Sequence, residues 1–322
     1  MSASIPTEEA VHAARTPASA AVIRREAAAV SDAALPCWCG SGAWSLCFRA
    51  PKFGLVRCSA CGTYQTDPPP LRADTESAEF YTDYYSKSAP PAAPAADPAA
   101  VVSSRNAWFW RVAEKVPQLA EIRQSVIDIG SGDGHTCAEL HAAGWTSVTG
   151  VEISRTRVAR ARQMYPQIPF YDCPLGDTGI PQESFDLMVM DSVIEHLPNP
   201  VEMLRDLRRF LKPGGTIVLL TPNMESGHFR FLQRRWTGML APHAHIFLFT
   251  AAALSQLLAQ AGFHVSHTGS LHMPVYRPLD YLKRVASGDV KGAIWRAHQE
   301  IGGFYGRAIG SGPMLYAVAA RP

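Results

Sequence analysis

The sequence predicts an α/β fold built on a doubly wound parallel sheet, preceded by a small cysteine-rich module. Three observations predict it. From Val126 onward, short apolar runs alternate with segments of helical period, the pattern of repeated βα units. The first of those runs enters a glycine turn, Gly130-Ser131-Gly132-Asp133-Gly134, that opens a helix. Five of the seven cysteines crowd into residues 37–61.

At 322 residues the chain suits one large domain with a small appendage. Hydrophobic residues at 47% and charged ones at 18% describe an ordinary globular composition. A net charge of +2 is too small to imply a nucleic-acid partner through phosphate neutralisation, so none is expected. No apolar run approaches the roughly 20 residues of a membrane span. The Ala-rich N-terminus lacks the charged and apolar regions of a secretory signal, so a cytoplasmic setting is expected. Residues 1–34 read as an arm with a short helix near Val22–Ala29, residues 35–70 as the cysteine knuckle, and residues 71–124 as linker and lead-in. Within the lead-in, residues 86–100 are Pro- and Ala-rich. The main domain then runs over 125–322, with an insert at 271–312.

The expected strands, in order, are Ser125–Ile129, Ser147–Val151, Ile168–Tyr171, Phe185–Met190, Thr216–Thr221, Phe263–Ser270 and Pro313–Ala319. Helices start near Gly134, Ser154, Pro200 and Thr250. After Pro200, Val201, Leu204, Leu207 and Leu211 keep one face of a 3.6-residue period. The next helix has Thr250 as N-cap, repeats Leu254, Leu257 and Leu258, and stops at Gly262.

In Val126-Ile127-Asp128-Ile129-Gly130-Ser131-Gly132-Asp133-Gly134 a strand runs into a turn whose glycines let main-chain N–H groups approach a ligand. Glu152 closes the next strand, roughly 20 positions on, where a carboxylate accepts hydrogen bonds from the two hydroxyls of a ribose. Asp128, two residues before the first glycine, would repel a pyrophosphate but suits a ligand carrying ammonium and sulfonium charges. S-adenosylmethionine is favoured over a nicotinamide dinucleotide on that ground.

These residues carry a family likeness. Asp128–Gly134 resembles the first motif of class I S-adenosylmethionine-dependent methyltransferases. Ser184-Phe185-Asp186-Leu187 leading to Val193-Ile194-Glu195-His196-Leu197-Pro198 resembles their fourth-strand motif, and Leu211-Lys212-Pro213-Gly214-Gly215 the loop entering their fifth strand. Thr221-Pro222-Asn223, His245-Ile246-Phe247-Leu248-Phe249-Thr250 and Ala261-Gly262-Phe263 extend the likeness to a branch of small-molecule and sugar methyltransferases, many with an N-terminal zinc knuckle. Asp67-Pro68-Pro69-Pro70, Phe80-Tyr81 and Asp83-Tyr84-Tyr85 resemble that branch's bridge from knuckle to main domain. The resemblance implies a mostly parallel seven-stranded sheet whose last strand is antiparallel and inserted at the edge. It assigns Asp128, Gly130, Ser131, Gly132, Gly134 and Glu152 to the cofactor, with Asp172 near the adenine and Asp191 near the methionine portion. Asp177 competes with Asp172, which also reads as a loop cap.

Cys37-Trp38-Cys39-Gly40 and Cys58-Ser59-Ala60-Cys61-Gly62 stand 18 residues apart, a zinc-ribbon spacing. Four thiolates suit tetrahedral Zn²⁺, which supplies folding energy to a segment too short to core itself. The first pair is Cys-x-Cys because Pro36 takes the usual first position. That leaves open Cys47 or a non-Cys ligand in the shell, and a ribbon of reduced thiols without metal. Cys137 and Cys173 read as packing residues.

Methyl transfer is an in-line displacement, so much of its rate comes from placing the acceptor. A hydroxyl or acidic C–H acceptor also needs a base within hydrogen-bond reach. Glu195 and His196 after the fourth strand, and His243 and His245 after the fifth, are the candidates. Structural readings stand beside them: His196 packing its loop, Glu195 pairing with an arginine, His245 satisfied before an aromatic run, or a divalent metal on Glu195 and His196. Tyr81, Tyr84, Tyr85, Trp108 and Trp110 read either as an aromatic lid over the sulfonium or as core. The basic insert reads as an acceptor cover, an anion site, a peripheral membrane contact or a solvated helical pair. The function expected is methyl transfer to a small molecule, a sugar or glycolipid precursor being favoured. A nicotinamide-dependent oxidoreductase and a non-catalytic zinc-knuckle module are the alternatives.

Overall fold

The computed structural model describes residues 34–70, 108–122, 124–236, 240–272 and 285–322. The expected N-terminal helix, the Pro-rich linker, Tyr81, Tyr84 and Tyr85, and residues 273–284 of the insert lie outside the described residues. In chain order the strands are β1 (Trp44–Arg49), β2 (Gly54–Cys58), β3 (Tyr64–Asp67), β4 (Ser125–Ile129), β5 (Ser147–Val151), β6 (Phe170–Tyr171), β7 (Phe185–Asp191), β8 (Leu211–Pro222), β9 (Phe247–Leu248), β10 (His264–Leu271) and β11 (Met314–Ala320). The helices are α1 (Trp108–Ala113), α2 (His135–Ala142), α3 (Arg155–Met164), α4 (Pro200–Arg208), α5 (Gly227–Leu232), α6 (Ala251–Gln260) and α7 (Val290–Ala308).

Seven strands form the main sheet in the order β10-β11-β8-β7-β4-β5-β6. β8, β7, β4, β5 and β6 run parallel, and β11 is antiparallel to both its neighbours. The last strand is therefore antiparallel as expected, but it lies one strand in from the edge, between β8 and β10. β8 is longer than expected. Leu211 pairs with Phe185 and Thr216 with Leu187, so the Lys212–Gly215 stretch bulges out of register inside the strand, with Gly214 at φ 76°.

Both faces of this sheet are buried, which is why its strands read as continuous apolar runs. Met188 and Met190 of β7 face one core with Leu204 and Leu207 of α4 and Leu254, Leu257 and Leu258 of α6. Leu187 and Val189 face the other, with Phe109 of α1, Leu140 of α2 and Val158 of α3. Trp108 belongs to this second core and Trp110 packs against it, so these two tryptophans serve the fold rather than a lid. The described part of the insert is helical: α7 lies on α5, with Gly302 and Gly303 beside His228 and Gly306 beside Gly227.

The cysteine module is a β-meander, β1-β2-β3, whose sheet gains a fourth strand, β9, from the main domain. Tyr64 pairs with Leu248 and Gln65 with Phe247. Leu55 of β2 packs with Met224, Leu232, Trp236, Leu240 and Leu248 beneath it. Burying side chains of this size contributes on the order of 1.5–3 kcal/mol each.

Candidate functional site

β4 ends in a turn that only glycines fit. Gly130 and Gly132 have φ of 73° and 56°, a region costly for other L-residues. A Cβ on Gly130 would stand 2.3 Å from Val193 Cγ2, and one on Gly132 would stand 2.7 Å from an Arg157 guanidinium nitrogen. The turn is clamped to the next strand by Glu152. Its Oε2 accepts from the Gly132 N–H at 3.1 Å and its Oε1 from the Ser154 N–H at 2.8 Å. A carboxylate offers about four lone-pair positions, so a fixed Glu152 keeps acceptor capacity for hydroxyls. The Ser131 hydroxyl is buried in the same turn without a hydrogen-bond partner.

Two more carboxyls converge here. Asp128 is buried beneath the turn, receives the Cys137 thiol at 3.7 Å, and is held well above the ordinary carboxylate range by burial, then by Asp191 and Glu152. Asp191 ends β7, accepts from the Ser192 hydroxyl at 2.9 Å, and is pushed by burial up to about 6. Asp128 and Asp191, near the carboxyl ends of adjacent parallel strands, both resist ionisation, and with the Glu152 carboxyl beside them the crevice is receptive to a cation. Asp172, beyond β6, is exposed and engaged by Arg162 at 3.1 Å, whose hydrogen bond holds it below its usual range. Asp177 is also exposed, in a short turn over residues 175–177.

Beyond β7, the turn Ile194–His196 buries Glu195 and His196. Glu195 Oε2 accepts from the Thr221 hydroxyl at 2.9 Å, so its partner is a threonine of β8 where an arginine was one expectation. Its Oε1 stands 3.9 Å from His245 Nε2. Burial pushes Glu195 up to about 8 and His196 down to about 4. His196 Nδ1 lies 3.0 Å from the Ala244 carbonyl, and the His196 and His245 rings are 4.7 Å apart at 76°. His243 is exposed. Two backbone ties hold the histidine loop: Ile246 N–H donates to Glu195 O at 2.8 Å, and Thr66 Oγ1 of β3 donates to His245 O at 3.1 Å. Thr66 carried no signal in the sequence, whereas Thr221 lay within a recognised motif.

In the meander, the Sγ atoms of Cys37, Cys39, Cys58 and Cys61 all lie within 4.8 Å of one another, with Cys37–Cys61 at 3.5 Å and Cys39–Cys58 at 3.7 Å. Sulfurs bound at about 2.3 Å around one tetrahedral ion stand about 3.8 Å apart, so these residues fit zinc with little movement. The Cys37 thiol raises its own pKa and lowers that of Cys61 by hydrogen bonding to it, the charge-sharing of crowded thiols. Cys47 is exposed, with its sulfur against Ser45 O at 3.9 Å, so it stays outside the cluster. Cys137 is buried and Cys173 only partly so. Among the described residues, no helix is long and apolar enough to cross a membrane.

Residues 75–268 match a family model described as a methyltransferase domain. The chain is 31% identical over 169 residues to a Mycolicibacterium smegmatis protein named probable S-adenosylmethionine-dependent methyltransferase, covering 52% of this chain and 63% of that one. A Mycobacterium tuberculosis protein of the same description is 30% identical over 204 residues, 59% of this chain and 72% of its own length. A Pseudomonas aeruginosa tRNA U34 carboxymethyltransferase is 31% identical over 167 residues, of which this chain spans only half its length.

Proposed function

Because the chain belongs to the class I S-adenosylmethionine-dependent methyltransferases, we propose that it methylates a small molecule, with a sugar or glycolipid precursor as the favoured acceptor class. The observation that carries the proposal is the Glu152 clamp on the glycine turn, set beside Asp128 and Asp191. Gly130, Ser131, Gly132 and Gly134 would line the cofactor's approach, Glu152 would accept from the ribose hydroxyls, and Asp191 would face the methionine ammonium. Asp128 would sit beneath, and Asp172 would border the adenine side. The cofactor, when bound, supplies an electrophilic methyl on a sulfonium. The chain's own part is to hold and orient the acceptor and to handle its proton.

Glu195, His196 and His245 form the acceptor side. A carbonyl can only accept, so His196 Nδ1 carries the ring's proton toward Ala244 and Nε2 keeps the basic lone pair. A neutral imidazole in this position can take a proton from an acceptor hydroxyl. The four knuckle cysteines would hold a structural zinc, closed to catalysis. A net charge of +2 supports a small acceptor over a nucleic acid.

Calorimetry with S-adenosylhomocysteine and NAD tests the cofactor, and transfer of labelled methyl into low-mass and RNA fractions of a cell extract tests the acceptor. Binding of the homocysteine nucleoside and label in the low-mass fraction are expected. NAD binding alone, or label confined to RNA, would overturn the respective half.

A further inference from the structure

We infer that α7 is a docking helix that lies flat on an anionic membrane surface at the rim of the crevice. Among the described residues, every strongly exposed large apolar side chain except Met203 lies on α5, on α7 or in the residues flanking α7. A water-facing surface scatters such side chains singly, so their clustering marks a contact face. On α7 they are also in step. Val290, Ile294, Ala297, Ile301 and Phe304 recur at alternating intervals of four and three, which keeps them on one stripe of the helix. Phe304 is 72% exposed and Ile294 53%. Gly302, Gly303 and Gly306 fall on the opposite side, which rests on His228 and Gly227 of α5. The C-terminal half of α7 thus turns glycines inward and large apolar side chains outward, the reverse of a helix that serves a core.

Charge selects the occupant of this face. Arg307 near the end of α7 is exposed, as are Arg230, Arg234 and Arg235 on α5 and the turn after it, with Phe231 among them. Two acids on these segments are engaged at caps: Asp289 Oδ1 accepts from the Gly292 N–H at 2.9 Å, and Glu225 Oε2 from the Ala251 N–H at 2.9 Å. Glu300 is half-buried. An apolar stripe in the company of arginines fits the boundary between anionic headgroups and acyl chains, where apolar side chains insert and guanidinium groups meet phosphate. A second copy fits less well, because a two-fold axis would set this face against itself and bring arginines toward arginines. The helix lies on the surface rather than crossing it, since no described helix is long and apolar enough to span a bilayer.

The stripe stands close to the proposed acceptor side. Just past α7, Ser311 Oγ and Gly312 O accept from Asn223 Nδ2 at 3.2 and 2.8 Å. Asn223 follows β8, whose Thr221 donates to Glu195. Docking here would bring a lipid-borne acceptor to the open end of the sheet. That use rests on the proposed methyl transfer, whereas the docking itself rests on the surface alone.

The test is cosedimentation of the full chain with vesicles of equal parts phosphatidylcholine and phosphatidylglycerol, and with vesicles of phosphatidylcholine alone. Binding to the anionic vesicles is expected, with a loss of at least about tenfold on the neutral ones. Arg234→Glu combined with Arg235→Glu should weaken it by about twentyfold or more, since each basic residue contributes about fivefold near such a surface. Ile301→Ser combined with Phe304→Ser should weaken it on the order of tenfold or more. Thermal melting followed by circular dichroism establishes that the variants fold. A wild-type chain that stays in solution, or that binds neutral and anionic vesicles alike, overturns the docking whether or not the variants fold. Folded variants that bind like the wild type overturn it as well. A chain that elutes as a dimer and ignores vesicles gives the face to a second copy instead. Vesicle binding without any affinity for S-adenosylhomocysteine would remove the methyl-transfer reading and leave the docking standing.

Discussion

Replacing Asp191 with Asn separates the stability of the ligand-free fold from its affinity for a cationic ligand. Burial lifts this carboxyl from 3.8 to about 6. A carboxyl with a raised folded pKa binds its proton more tightly in the native state than in the unfolded one. Its contribution is therefore most favourable below pH 3.8, shrinks as pH rises toward 6, and stays unfavourable above that. A rise of about two units corresponds to at most about 3 kcal/mol. Asp191 is only partly buried, and solvent screening lowers the expected effect to about 1–2 kcal/mol. Asn keeps the shape and an acceptor for the Ser192 hydroxyl but has no charge to desolvate. Urea unfolding of the ligand-free chain should show Asp191→Asn more stable than wild type by about 1–2 kcal/mol near pH 8, with the gain vanishing near pH 4. Calorimetry should show the same variant binding S-adenosylmethionine on the order of tenfold more weakly. A gain independent of pH, or a variant less stable near pH 8, would refute the assignment of Asp191 as a strained acid.

Glu152→Ala removes the acceptor of the Gly132 and Ser154 amides, and cofactor affinity should fall by about 1–3 kcal/mol in calorimetry. Equal affinity would place the nucleoside elsewhere. Cys61→Ser, or a strong chelator, should speed amide hydrogen exchange at Phe247 and Leu248, because β9 pairs with a strand that the cysteine cluster braces. Unchanged exchange there would mean the meander stands without metal. Gly227→Ala would set a Cβ 2.3 Å from Gly306 Cα, so it should lower stability by about 1–3 kcal/mol through separation of α5 from α7. A melting temperature equal to wild type would show that α7 yields freely.

The main sheet was legible because its signals are local. Apolar runs gave β4 and β5 to the residue, and Thr250 caps α6 through its hydroxyl to the Ala253 N–H, as its position suggested. β6 shrank to Phe170–Tyr171 because Ile168 turns into the second core instead of pairing. The place of β11 one strand in from the edge is a matter of topology that no run of residues encodes. On the proposed acceptor side, Glu195, His196 and His245 stood out by residue type, but their mutual approach depends on Thr221 and on a loop some fifty residues away. The pairing of β3 with β9 joins residues about 180 positions apart and leaves no trace in either segment.

That pairing makes the cysteine meander part of the proposed acceptor side. His245 is followed at once by Ile246 and then β9, so its backbone has little freedom once Phe247 and Leu248 are locked to Tyr64 and Gln65. Thr66 grips the His245 carbonyl from the meander, and Glu195 O grips Ile246 N–H from the main sheet. The imidazole thus leaves a backbone held from two directions, one in each module. A histidine on a loop tethered at one side alone would sample several positions, and displacement by about an ångström is enough to cost large factors in a positioned reaction. If Glu195 and His245 serve the acceptor as proposed, the four cysteines bear on chemistry they do not touch, because the sheet they fold is the one that fixes His245 opposite Glu195.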